Sequence, residues 1–292
     1  MKQSPKSTLC ALSFLLVFGL YSCSQKQASE ETAQNETEAP VEEEAPEEIT
    51  YDVNDVASII EAVEMASGSW DKLWEQKDVE YTYTYASSDG KKDVSLERYI
   101  FDNENSWGKY SAHQINVLPE AEGEVIQCYI DNKPEISLNG EKMEGPEVIG
   151  GTEFLRKVNY FWFAMNFKLG DPGTSHEYMG QEEVNGVTYD KVGVSYDSET
   201  TGKPENDSYI VYVNPETKLI DRFFFSLPAW GVQEAVLLME VDYTEMNGLQ
   251  LPLVRRAYIP NEQGEYPETA SVTQTSENIK FNNGFTVEDF SI

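Results

Sequence analysis

Residues 152–169 read TEFLRKVNYFWFAMNFKL. Thr152 is a plausible N-cap, and Gly170-Asp171-Pro172-Gly173 stops any helix that reaches it. Phe154, Leu155, Val158, Phe161, Trp162 and Met165 recur at helical spacing and fall on one face. Tyr160, Phe163 and Phe167 make the second half apolar nearly all round. A helix that is apolar on every side has to be covered on more than one side. Such a helix suits the concave face of a curved sheet. Two roles are open to it: the core helix of an α+β domain, or a lid over an apolar cavity.

On both sides of this segment the period is two. Tyr81, Tyr83 and Tyr85 alternate with Thr82 and Thr84, and Leu237, Met239, Val241 and Tyr243 form one apolar face. Asp89-Gly90, Asn139-Gly140, Asn185-Gly186 and Asn247-Gly248 mark two-residue hairpins. Asn214-Pro215-Glu216-Thr217 reads as a type I turn, and Pro252 sits near a strand start, where a missing N–H is tolerable. About nine to eleven antiparallel strands follow from these signals. An amphipathic helix precedes them, with Val56, Ile59, Ile60, Val63 and Ala66 on one face, Asn54 as N-cap and Gly68 as stop. Trp70, Leu73 and Trp74 continue its apolar face. The fold class expected is therefore α+β, mainly β: a strongly curved antiparallel sheet with an N-terminal helix and an inserted apolar helix.

The chain opens differently. Lys2 and Lys6 precede an apolar run from Leu9 to Leu20, too short for the roughly 20 residues of a membrane-spanning helix. Residues 1–22 therefore read as a signal peptide. Leu20-Tyr21-Ser22-Cys23 resembles the bacterial lipobox, which makes Cys23 the lipidated first residue of the mature chain. Several acyl chains on one residue hold a protein on a membrane. By analogy with enterobacterial sorting, Ser24 rather than Asp after the cysteine favours the outer membrane. Residues 23–50 carry nine Glu and almost no bulky apolar residue, a composition read as a disordered acidic tether. Fully extended at ~3.3 Å per residue, it reaches about 90 Å. It serves either to lift the domain off the bilayer or as an acidic surface-export tag, so periplasmic face and cell surface both stay open. Residues 51–292 form one β-rich domain, expected to be monomeric.

The net charge is −31, from 52 acidic against 21 basic residues. That balance repels phosphate backbones and excludes nucleic acid as a partner. Cys10 leaves with the signal and Cys23 is modified, so Cys128 is left without a disulfide partner. It alternates with Ile126 and Ile130 on an apolar face and reads as a buried structural thiol. The two histidines, His113 and His176, carry no catalytic signature. His176-Glu177 begins like a zincin motif but lacks the second histidine at i+4. No nucleophile elbow, phosphate loop, calcium loop or paired-cysteine motif occurs, so neither an enzyme nor a cofactor or metal site is expected. Trp107 and Trp230 stand in loop-like contexts and are candidate exposed stacking platforms, whereas Trp70, Trp74 and Trp162 read as core.

Three stretches carry a family likeness: residues 67–83 (SGSWDKLWEQKDVEYTY), 159–173 (NYFWFAMNFKLGDPG), and 178–196 with 207–225 (YMGQEEVNGVTYDKVGVSY and DSYIVYVNPETKLIDRFFF). They resemble a Bacteroidota-type outer-membrane lipoprotein family of unknown function. That family is distantly similar to the LolA/LolB-type lipoprotein carriers. The resemblance implies a half-open curved sheet closed by helices around a cavity for acyl chains. No arginine of the carriers can be placed on Arg156, Arg222, Arg255 or Arg256. The expected function is a membrane-anchored lipoprotein binding an apolar or amphiphilic ligand, an acyl chain or a lipoprotein. Phe154, Val158, Phe161, Trp162, Phe163, Met165 and Phe167 are the candidate lid and cavity residues. The alternative is a non-catalytic surface lipoprotein that binds glycan or a partner protein through exposed aromatics.

Overall fold

A computed structural model describes residues 48–203 and 205–292. The signal peptide, Cys23 and all but the last residues of the tether lie outside the described residues. Helices α1 (Val56–Ala66) and α2 (Ser69–Glu75) open the described chain. Six strands follow: β1 (Asp78–Ser87), β2 (Lys92–Ile100), β3 (Asn105–His113), β4 (Val125–Ile130), β5 (Lys133–Leu138) and β6 (Glu141–Lys142). Helix α3 (Pro146–Lys168) comes next, then β7 (Thr174–Val184) and β8 (Val187–Tyr196). The short α4 (Ser198–Thr201) precedes β9 (Tyr209–Val213), β10 (Ile220–Leu227), β11 (Val232–Met246), β12 (Leu249–Tyr258) and β13 (Val272–Phe281).

All thirteen strands belong to one sheet, in the order β6-β5-β4-β3-β2-β1-β13-β12-β11-β10-β9-β8-β7. Every pairing is antiparallel. Two meanders, β1–β6 and β7–β13, are joined where β1 pairs with β13, with Tyr85 opposite Gln274. The two edges are β6 and β7, and α3 is the chain segment that connects them. It has to return from one edge to the other, and its 23 residues span about 35 Å of helix.

The sheet wraps around that helix. Phe163 packs on Tyr99 of β2 at 5.7 Å between ring centroids, and Phe161 packs on Tyr209 of β9 at 5.6 Å. Those strands are six positions apart in the sheet, about 29 Å if it were flat. A helix with side chains is only about 10–12 Å across. Only strong curvature brings both strands to neighbouring residues of one turn. The sheet does not close, because β6 and β7 remain unpaired with each other. The expected half-open curved sheet with a seated apolar helix is the architecture observed.

Local details differ from the expectation. Thirteen strands form rather than nine to eleven, because the short β6 and the Asp131-Asn132 turn carry weak signals. That turn has both residues at positive φ (49° and 61°) with no glycine to mark it. Helix α3 begins at Pro146, six residues before Thr152, and runs through Gly150-Gly151. Val148 and Ile149 pack there against Ile136 and Val125, and this burial outweighs about 1 kcal/mol per glycine of poor helix propensity. Asp55, not Asn54, holds the N-cap position of α1. Trp74, expected in the core, is 44% exposed; the seven-residue α2 turns only Leu73 fully inward. On the convex face, Trp107, Cys128 and Phe290 form a small cluster that anchors the C-terminal turn at Val287–Phe290.

Candidate functional site

Helix α3 is held against the sheet by polar as well as apolar contacts. Arg156 is completely buried, and its guanidinium donates to both carboxylate oxygens of Glu97 on β2, at 2.7 and 3.1 Å. It also donates to the Tyr110 hydroxyl at 2.7 Å. Glu97 accepts in addition from Ser95 (2.6 Å) and Tyr99 (3.3 Å). Burial works against the charged guanidinium, but the carboxylate beside it outweighs burial and holds Arg156 protonated. A close approach makes this possible: Gly108 on β3 lies under the guanidinium, where any Cβ would collide with it. Further along, Asn166 donates to Ser67 (2.9 Å) and to Tyr243 (3.1 Å).

Below the first half of α3 the sheet face and the helix leave a cavity of about 300 Å³. Its helix wall is Phe154, Leu155, Val158, Asn159 and Trp162. Its sheet wall comes from β1 to β3 and β10 to β13, through Tyr83, Tyr85, Asp93, Tyr110, Phe225, Leu237, Met239, Ala257, Val272 and Gln274. Ile115, Asn116 and Val117, in the loop after β3, line it as well. Trp230 and Ile259 mark the mouth, since they are 65% and 53% exposed. Trp162, Met239, Tyr83, Asn159 and Gln274 on the lining are buried, as are Asp93, Tyr110 and Val117. Trp230 leans on Phe154 across the mouth, at 6.4 Å between rings.

The seven candidate residues of α3 divide by face. Trp162 lines the cavity alone, whereas Phe154 and Val158 lie between it and a second cleft and line both. Phe161 points to the other side of the helix, into that larger and more polar cleft, on whose walls stand Tyr129, Asn132, Tyr196 and Asn206. Met165 packs in the core with Trp162, Phe223 and Leu169. Phe163 and Phe167 fill a second core with Tyr81, Tyr99 and Phe101. The sheet-borne lining was not singled out from the sequence. Its one signal was strand alternation, which marks an inward face without saying where that face is left uncovered.

Trp107, a candidate stacking platform, is a correction. It is 6% exposed, donates its indole N–H to the Ser291 carbonyl at 2.9 Å and lies under Arg98. Its loop-like Asn-Ser-Trp-Gly context belongs to β3, and the C-terminal segment covers it. Both histidines are bonded to backbone carbonyls: His113 to Val117, Leu118 and Gly123, and His176 to Leu169. Burial pushes the Cys128 thiol up to about 11, which fits a structural rather than a reactive sulfur.

No family model matches the chain, and no curated protein matches it in sequence. Among solved structures, a DUF1329 family protein from Desulfovibrio piger is similar at TM-score 0.48 and 12% identity, over 83% of this chain and 98% of that one. A domain described as outer-membrane lipoprotein-sorting, from Vibrio parahaemolyticus, has a TM-score of 0.48 at 9% identity, over 82% and 97%. A LolA-superfamily protein from Nitrosomonas europaea has a TM-score of 0.47 at 10% identity, over 80% and 97%.

Proposed function

We infer that this protein is a membrane-anchored, non-catalytic binder that takes the acyl part of an amphiphile, a lipid or a lipoprotein, into the cavity under α3. The observation that carries this reading is the cavity itself. Its walls are predominantly aliphatic and aromatic, the exposed Trp230 and Ile259 stand at a mouth, and a buried helix roofs it. An apolar pocket of a few hundred Å³ with a small number of polar groups is the usual form of a site for one small ligand. Phe154, Val158 and Trp162 supply the roof, and an anchor at Cys23 would hold the domain within tether reach of a membrane. The tether length, about 90 Å at full extension, allows that approach from the outer membrane. Of its two candidate platforms the glycan or partner-protein alternative loses Trp107 and keeps Trp230, which stands at the cavity mouth.

The test uses the full chain with Cys23→Ser, purified without detergent, so that no anchor of its own competes for the cavity. A fluorescent fatty acid is titrated into this protein and into a Val158→Glu variant, with circular dichroism as the folding control. Saturable binding that is lost in the folded variant is the expected result. Equal binding by both proteins places the ligand elsewhere, and no binding by either removes the acyl reading.

A further inference from the structure

The cleft on the other side of α3 has a volume of about 640 Å³, within the range of small-ligand sites. Its walls come from both arms of the sheet: Ser106 on β3 and Tyr129 on β4 from one, Tyr196 on β8 and Tyr209 on β9 from the other. Between them α3 contributes Arg156, Tyr160 and Phe161. Phe161 packs on Tyr209 at 5.6 Å between ring centroids, and Tyr209 on Tyr196 at 6.2 Å, so one wall is a continuous aromatic surface. Asn132, Thr200, Thr201 and Asn206 add amides and hydroxyls around it.

Among the described residues, seven buried side-chain polar atoms have no hydrogen-bond partner. Four of the seven belong to residues that line this cleft: Ser106 Oγ, Arg156 Nε and the hydroxyls of Tyr160 and Tyr196. Ser106, Arg156 and Tyr160 are each at most 4% exposed. Folded proteins pair nearly all such groups, so their concentration at one cleft calls for a hydrogen-bonding occupant. The set is mixed: the Arg156 Nε–H only donates, whereas a hydroxyl both donates and accepts.

The charges of the cleft cancel. Four basic and four acidic side chains stand on its walls. Lys157 pairs with Glu153, Lys168 with Glu104 and Asp171, and Arg156 with Glu97 behind the wall. The remaining base and acid, Lys203 and Asp207, attract each other. An anionic ligand would have to displace one of these acids. An acyl chain would press hydrocarbon against ion pairs and orphaned hydroxyls. A peptide added as a strand needs a free sheet edge, and neither β6 nor β7 contributes a residue to the lining. A sugar ring meets both demands, with C–H faces for the aromatic wall and hydroxyls that donate and accept.

We propose that this cleft is a second binding site, for a neutral saccharide whose ring lies on Phe161 and Tyr196 and whose hydroxyls pair with those of Ser106, Tyr160 and Tyr196. The site shares only Phe154 and Val158 with the apolar cavity, so it stands whether or not that cavity takes an acyl chain.

The test titrates maltose, cellobiose, lactose and N,N′-diacetylchitobiose, with digalacturonate as the acidic comparison, into the full Cys23→Ser chain by calorimetry. Saturable binding of at least one neutral disaccharide is expected, with digalacturonate weaker. Tyr160→Phe and Tyr196→Phe should each weaken that binding about two- to tenfold, the worth of one hydrogen bond. Neither should lower the melting temperature, since each removes a hydroxyl that has no bond in the free protein. That pairing of weaker binding with undiminished stability separates a ligand contact from a structural one. No saturable binding of any of the sugars at millimolar concentration overturns the proposal. Tighter binding of digalacturonate overturns the neutral assignment. Undiminished binding by both variants places the sugar elsewhere and overturns the site, and a lower melting temperature in both shows the hydroxyls bonded within the protein and removes its basis.

Discussion

Replacing Glu97 by Gln should destabilise the domain by roughly 3–5 kcal/mol, the usual consequence of removing one partner from a buried ion pair. The structure supplies the reasons. Both side chains are 0% exposed, so water cannot take over the role of the lost carboxylate. Two of the guanidinium's hydrogen bonds end on Glu97. In the variant the guanidinium keeps its charge, and the amide offers one oxygen where the carboxylate offered two. Replacing both partners by apolar residues of similar size, Glu97→Leu with Arg156→Met, should recover most of the loss, because the desolvation of two charges disappears along with their attraction. Urea unfolding followed by tryptophan fluorescence measures the difference through the midpoint at constant slope. For a domain of this size each kcal/mol moves the melting temperature by about 2–4 °C, so the single variant should melt on the order of 6–20 °C lower. A loss below about 1 kcal/mol in the single variant, or a double variant no more stable than the single, would refute the reasoning.

Two further outcomes follow from the same geometry. Gly108→Ala introduces a Cβ where the Arg156 guanidinium lies, so the pair with Glu97 must shift and the melting temperature should fall, whereas Gly150→Ala in open helix surface should leave it unchanged or raise it. For Cys128, burial favours the neutral thiol in the folded state, so its contribution to stability is present below the unfolded thiol's pKa of about 8.5 and is lost as pH rises towards about 11. Alkylation of Cys128 at pH 8 should therefore be slow in the folded protein and fast in urea; rapid alkylation without denaturant contradicts the burial.

Much of the fold was legible in the chain because its signals are local. The Asn-Gly turns at 139, 185 and 247 all adopt the paired positive φ that two-residue hairpins need, and that choice depends on the residues alone. The all-round apolar character of α3 announced a helix covered on several sides, and it is covered by strands from β2 to β9. Less legible were features set by distant partners. The start of α3 at Pro146 depends on burial against β4 and β5. Trp107 looked like a loop aromatic until residues 285–292, far along the chain, covered it. Trp74 carried the right helical spacing, but nothing in the sequence indicated that the face it occupies would be left open.

The site divides along the same line. Residue types and periodicity determined by themselves that this is an acidic, mainly antiparallel β domain with one apolar helix, because hydrophobic period, turn chemistry and charge are properties of short stretches. Which faces of α3 meet sheet, cavity or cleft was decided only by the tertiary structure. A cavity is the volume that packed side chains fail to fill, and that failure depends on the curvature of thirteen strands and on the line along which α3 crosses them. The same holds for the two buried arginines. Arg156 and Arg255 are alike as residues in the sequence, and only the arrangement of β2 beside α3 gives Arg156 a carboxylate and leaves Arg255 without one among the described residues.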